Sequence, residues 1–253
     1  MPMPMTSPMQ KMIDYAASEW NGYKKLDFSF EGRKAILVCP KEPGEDKKWL
    51  FKTEYFGAFP SFELEMLEKG YYVAHIQNKT RWCLEEDTDV KPVFCEFLRQ
   101  EFSLNEKCMC VGMSCGGMQA IYFAAKYPKY VAAVYLDAPV VNLLSCPCGI
   151  GDATDSMYEE FTNTTGLTKS QLINYRNHPV DNIPAMFENG IPVMLICGDS
   201  DTVVPYHENG KAVADYYEQN GGKITKIIKP GCDHHPHGLE DNAPIIKFAM
   251  ENY

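Results

Sequence analysis

Lys107-Cys108-Met109-Cys110-Val111-Gly112-Met113-Ser114-Cys115-Gly116-Gly117-Met118-Gln119-Ala120-Ile121-Tyr122-Phe123-Ala124-Ala125 is the stretch that decides the fold. Its first five residues are a short apolar run, the pattern of a buried strand. Its last eight are good helix formers. Between them lies Gly112-Met113-Ser114-Cys115-Gly116, a Gly-x-Ser-x-Gly turn that joins strand to helix within a few residues. Glycines two before and two after the serine let strand and helix approach without clashing Cβ atoms. Such a turn lifts the serine hydroxyl above the sheet edge, at the positive end of the following helix. Five-residue glycine patterns recur by chance, so the flanking strand and helix are what make Ser114 a candidate nucleophile.

The rest of the chain is compatible with a single globular domain. Its 253 residues are enough for one sizeable core, and 45% of them are hydrophobic. A net charge of −10 argues against nucleic acid or an anionic membrane as partner. No run approaches the roughly 18 consecutive apolar residues that a spanning helix needs. The first eight residues carry neither a basic nor an apolar leader region, so no secretory signal is expected. Of ten cysteines, Cys39, Cys108, Cys110 and Cys197 fall in apolar runs, where they act as small hydrophobes and point to the reducing cytoplasm. Cys146-Pro147-Cys148 is too tight for half of a zinc site and reads as structural.

Outside the elbow the elements alternate. Residues 9–22 are expected to form a short amphipathic helix or arm. Leu26–Phe30 alternates as a half-buried strand, and Glu31-Gly32-Arg33 turns it into the apolar run Ala35–Cys39, giving an antiparallel edge hairpin. Residues 40–46 are a loop by composition. Then come helix Phe62–Lys69, strand Tyr71–Ile76, helix Pro92–Glu101, the elbow, strand Val131–Leu136, strand Pro192–Cys197, helix Gly210–Asn220, strand Ile224–Ile228 and helix Ala243–Glu251. The fold class this implies is α/β, a doubly wound and mostly parallel sheet with an antiparallel edge. About fifty residues, 140–190, separate two neighbouring strands, with helices expected near Lys169–Arg176 and Asp181–Glu188. An insertion of that size reads as a helical cap on one domain that spans 1–253.

A serine needs a base to take its proton. Three of six histidines sit in Gly231-Cys232-Asp233-His234-His235-Pro236-His237-Gly238, directly after the last strand. Asp199 and Asp201 sit in Gly198-Asp199-Ser200-Asp201-Thr202-Val203-Val204-Pro205, also just past a strand. Asp137 ends a third strand and is a rival. Carboxyl ends of parallel strands are where α/β folds assemble sites.

The order serine, aspartate, histidine, with these loops, resembles the α/β-hydrolase superfamily. Gly198 to Pro205 match its Gly-x-x-Asp-x-x-Val-Pro acid loop, which makes Asp201 the implied acid. Gly231 to His234 match its Gly-x-Gly-His loop, with Asp233 in place of the second glycine, which makes His234 the implied base. In overall pattern the chain resembles compact bacterial carboxylesterases and carbohydrate esterases. The resemblance implies a serine hydrolase working through Ser114, His234 and Asp201 on a small ester, an acylated sugar among the candidates. Amide substrates are disfavoured because the cap is better sized for a small ligand and no large peptide-binding domain is visible. It implies no cofactor and leaves assembly into a homo-oligomer open.

The superfamily takes one oxyanion donor from the residue after the nucleophile, here the Cys115 N–H, and one from an earlier loop. No His-Gly-Gly-Gly motif follows Ala35–Cys39. Pro40 lacks an N–H, so Lys41 is the expected second donor. His235, His237 and Trp82 are expected to contact substrate. The competing readings are a metal site built from the histidine cluster with Asp233 and Asp241, a peptidase or carbon–carbon hydrolase on this scaffold, and a binding protein that keeps the fold. Pro236 interrupts regular ligand spacing in the cluster, so no metal is expected.

Overall fold

The computed structural model describes residues 13–253. The chain enters the sheet through three antiparallel strands, β1 (Ala16–Trp20), β2 (Tyr23–Phe30) and β3 (Arg33–Cys39). In β2 the side chains of Leu26, Phe28 and Phe30 share one buried face, and Ser29 on the opposite face is exposed. Both hairpin turns, Asn21-Gly22 and Glu31-Gly32, place two consecutive residues at positive φ (50° and 82°, 49° and 73°). That geometry matches the twist of the flanking strands, and Asn-Gly is its best-suited pair. β1 therefore replaces the helix or arm expected over 9–22. Asn21-Gly22 is the signal of this hairpin in the sequence, and residues 9–12 of that expectation lie outside the described part.

The parallel part comprises β4 (Trp49–Lys52), β5 (Tyr72–Ile76), β6 (Cys108–Met113), β7 (Val131–Asp137), β8 (Val193–Gly198) and β9 (Ile224–Lys229). The order across all nine strands is β1-β2-β3-β5-β4-β6-β7-β8-β9. β3 runs antiparallel to β5, and every pair from β5 to β9 is parallel. The helices are α1 (Ser61–Glu68), α2 (Glu85–Phe102), α3 (Cys115–Lys126), α4 (Tyr158–Thr165), α5 (Lys169–Ile173), α6 (Ile183–Glu188), α7 (Gly210–Gln219) and α8 (Ala243–Asn252). Successive residues of the central strands bury opposite faces. Leu37, Phe51 and Cys110 pack with Phe94 of α2 and Ile121 and Phe123 of α3. Val38, Leu50 and Val111 pack with Phe62 and Met66 of α1 and Phe248 of α8. This is the two-sided burial that a doubly wound sheet requires.

Two boundaries differ from expectation for identifiable reasons. α2 begins at Glu85, not Pro92, because Glu85, Glu86 and Asp87 fill its first turn and suit the positive helix end. β4 was hidden because its four residues end in lysine. Lys52 is nonetheless buried, held by the Glu63 carboxylate at 2.5 Å and the Ala58 carbonyl at 3.3 Å. Removing one partner of such a pair costs about 3–5 kcal/mol.

Between β7 and β8 the insertion divides in two. α4 and α5 cover a separate apolar cluster with Trp82, Met118, Leu143, Phe161 and Leu172. Ile183 and Met186 of α6 instead join the main core beside Val193 and Leu195. α5 starts where expected, capped by the Thr168 side chain, which accepts the Gln171 N–H.

Candidate active site

Three loops leave the carboxyl ends of β6, β8 and β9 and meet above the sheet. Ser114 sits between β6 and α3 at φ 53°, ψ −121°, a conformation that costs a non-glycine residue roughly 1–3 kcal/mol. The Ser114 N–H donates to the Asp137 carbonyl at 2.9 Å, and its carbonyl accepts from Gly117 and Val140 at 2.9 and 3.1 Å. Crowding explains the glycines. A Cβ on Gly112 would lie 2.4 Å from the Gly116 carbonyl oxygen, and one on Gly117 would lie 2.5 Å from Pro139 Cβ.

The geometry joins three of the residues named from sequence. His234 Nε2 lies 3.1 Å from Ser114 Oγ, and His234 Nδ1 lies 2.7 Å from Asp201 Oδ2. A carboxylate only accepts, so Nδ1 carries the proton and Nε2 keeps a lone pair facing the serine. The other oxygen, Asp201 Oδ1, accepts the N–H groups of Val203 and Val204 at 2.9 and 2.7 Å. Those bonds fix the carboxylate in the turn that Val204-Pro205 closes. Asp233, the departure from a second glycine, ties the two loops: its Oδ1 accepts the His234 N–H at 2.7 Å and the Thr202 N–H at 3.0 Å. These bonds, the Thr202 N–H foremost, hold the Asp233 carboxyl below its usual range.

The rival acids have other partners. Asp137, 1% exposed, accepts from His237 Nδ1 at 2.7 Å, from the Gly238 N–H at 2.7 Å and from the Tyr135 hydroxyl at 2.8 Å. Asp199 is exposed and accepts the Gly231 N–H at 2.7 Å. Two buried histidine–carboxylate pairs therefore stand side by side. The rings of His234, His235 and His237 pack edge to face with centroids 4.8–4.9 Å apart. Partial desolvation by the neighbouring rings lowers the pKa of the exposed His235, and the charges of its two histidine neighbours add to the shift.

Ser114, His234, His235 and His237 open onto a cavity of about 310 Å³, which Tyr55, Arg81 and Met157 also line. Arg81 forks onto Glu160 of α4, with Nε donating to Oε1 at 2.8 Å and Nη2 meeting Oε2, so the cap is latched to the floor of the pocket. Trp82 is not at this pocket. Its ring is buried, donates to Glu160 Oε1 at 2.9 Å and packs on Phe161, where it lines a different cavity of about 500 Å³ with Tyr122 and Tyr175.

Cys115 opens α3, where an N–H has no acceptor within the helix. Lys41 lies elsewhere. β3 is antiparallel to β5, with Val38 opposite Val73, so its end faces the amino end of the parallel strands. Lys41 is there, its ammonium over the Tyr23 ring at 5.2 Å, and it cannot donate to an oxygen at Ser114. The loop beside the elbow follows β4 instead. Thr53 Oγ1 donates to the Gly116 carbonyl at 2.7 Å, and Tyr55 follows at φ 53° and lines the Ser114 cavity. Burial raises the Tyr55 pKa, with Cys115 adding to the shift, so the phenol stays a neutral donor. Sequence reading missed Tyr55 because it missed the strand that delivers it.

Among the described residues two clusters have metal-like donor spacing. One nitrogen each from His234, His235 and His237 lies within 4.8 Å of the others, as do single atoms of the exposed group Asp152, His207 and Glu208.

The family model of the prolyl oligopeptidase family matches residues 63–251, well over half of the chain. The chain belongs to that family. It is thus a member of a family of serine hydrolases with the α/β-hydrolase fold. Among solved structures, dipeptidyl peptidase 4 of Porphyromonas gingivalis aligns over 95% of this chain and 35% of its own at 13% identity and a TM-score of 0.66. The acylaminoacyl peptidase of Pyrococcus horikoshii aligns over 89% and 38% at 15% identity, TM-score 0.63. The chain therefore spans little more than a third of these two peptidases. Est1E of Butyrivibrio proteoclasticus aligns over 94% of this chain and 98% of its own at 16% identity, TM-score 0.60. Identities this low bear on fold alone. Among the described residues no helix is long and apolar enough to cross a membrane.

Proposed function

We propose that this family member hydrolyses a small carboxylic ester, an acylated carbohydrate among the candidates, with Ser114 as nucleophile, His234 as general base and Asp201 as its orienting carboxylate. The observation that carries the reading is the unbroken relay from Ser114 Oγ through both ring nitrogens of His234 to Asp201, at 3.1 and 2.7 Å. His234 Nε2 takes the Ser114 proton as Oγ attacks the substrate carbonyl carbon. The Cys115 N–H and the Tyr55 hydroxyl hold the oxyanion as it forms. The tetrahedral adduct then collapses, His234 returns the proton to the leaving alkoxide, and an acyl-serine remains. Water, deprotonated by His234, repeats the sequence and releases the acid. Asp201 keeps the imidazole in the productive tautomer and stabilises its charged form.

The ester preference is supported by the pocket. About 310 Å³ beneath a latched cap suits a drug-sized or smaller ligand. A second reading, amide hydrolysis, is favoured by the family to which the chain belongs. The two part in a direct comparison of short-chain aryl esters with matched anilides. Higher kcat/KM on the esters is expected, and a preference for anilides would assign the protein to the peptidases.

A further inference from the structure

The histidine cluster does more than one base requires. Three imidazoles crowd together along the Ser114 pocket, each pair of rings 4.8–4.9 Å apart and close to perpendicular, at 74–84°. Two of them give Nδ1–H to a buried carboxylate at 2.7 Å, His234 to Asp201 and His237 to Asp137. Each therefore has Nε2 left as an unprotonated donor. A carboxylate behind a ligating imidazole is the arrangement that orients the ring and raises its basicity in zinc sites. The third, His235, is solvent-exposed and stacks on Phe59 at 5.6 Å, so it has room to turn toward the other two. Three imidazoles with an open fourth position is a zinc donor set. At Zn–N distances of 2.0–2.1 Å a tetrahedral site needs nitrogens roughly 3.3 Å apart. One nitrogen of each ring already lies within 4.8 Å of the others, about 1.5 Å beyond that spacing.

We propose that His234, His235 and His237 form an inhibitory binding site for a divalent transition-metal cation, zinc above all. The only lone pair His234 has left for the metal is the Nε2 pair that faces Ser114 Oγ. Coordination and deprotonation of Ser114 are then mutually exclusive, and the bound cation switches the enzyme off reversibly. That consequence rests on the hydrolase reading, whereas the site itself does not.

The test separates the two. Cobalt(II) chloride is titrated into the intact protein and followed by visible absorption, and zinc chloride is titrated by calorimetry. One equivalent is expected, with tetrahedral d–d bands and no thiolate charge-transfer band from the ten cysteines. His235→Ala, an exposed change that the fold tolerates, removes a ligand and should weaken zinc by more than about 100-fold. Asp137→Asn, which acts behind His237, should weaken it by about 10–100-fold. His207→Ala, in the surface cluster with Asp152 and Glu208, should leave affinity unchanged. Absence of binding, a thiolate band, unchanged affinity in His235→Ala or lost affinity in His207→Ala would each overturn the site. Binding by a protein that hydrolyses nothing would uphold it while sinking the hydrolase reading. In an active enzyme, zinc should inhibit with the constant read by calorimetry, and a chelator should restore the rate. Saturation of the cluster without loss of rate contradicts the inhibitory role.

Discussion

At the scale of single residues, two aspartates with similar burial do different work because of what they face. Asp137 ends β7 and Asp201 lies in the loop just past β8, and both hold an imidazole Nδ1–H at 2.7 Å. Only the imidazole on Asp201 touches Ser114. Asp201→Asn should therefore fold normally yet lose about 10⁴ in kcat, because an amide oriented by the Val203 and Val204 N–H groups leaves His234 in the wrong tautomer. Asp137→Asn should act first on stability, since the carboxylate also anchors the Gly238 N–H and the Tyr135 hydroxyl in the core. Circular dichroism melts beside steady-state kinetics separate the two. A severe kinetic loss in a well-folded Asp137→Asn protein, with a mild one in Asp201→Asn, would reassign the acid to β7.

At the scale of elements, the short strand β4 decides which loop reaches the nucleophile. It inserts between β5 and β6, so residues 53–55 rather than 40–41 flank the elbow. Tyr55→Phe removes the proposed oxyanion donor, and kcat should fall about 10²–10³-fold with KM little changed. A Lys41→Ala protein should match wild type in both. Equal kinetics for Tyr55→Phe and wild type would return the second donor to the backbone. The same strand shows what could be read beforehand. The elbow, the acid loop and the histidine loop are local patterns, each set by turn chemistry within eight residues or so, and the sequence displays them directly. β4 is four residues long and ends in a lysine whose burial depends on Glu63, eleven positions away, so local hydropathy conceals it. α4, with Phe161 as its one buried residue, is equally faint. Trp82 sits away from the Ser114 pocket for a related reason: its partner Glu160 lies 78 residues away, and only the tertiary fold brings it there.

At the scale of the whole molecule, the sheet carries a buried histidine whose charge state couples stability to pH. His75 on β5 donates Nδ1–H to the Lys52 carbonyl at 2.8 Å. Burial, the largest influence, lowers its pKa to about 4 from an ordinary 6.5. The unfolded chain then binds a proton that the folded one refuses between those two values. Stability should be full above about pH 6.5 and fall as pH drops toward 4, by about 3 kcal/mol from this group. Urea unfolding across that range should show the loss, and His75→Gln should flatten it; an unaltered slope would place the acid sensitivity in other groups. The proposed catalysis requires Ser114 to be an activated nucleophile, served by two loops from distant parts of the chain. Its most direct measurement is labelling by a fluorophosphonate probe, with the modified peptide located by mass spectrometry. Wild type should be labelled at Ser114 alone and Ser114→Ala not at all, whereas a well-folded wild type that resists the probe, or carries the label on another residue, would contradict it.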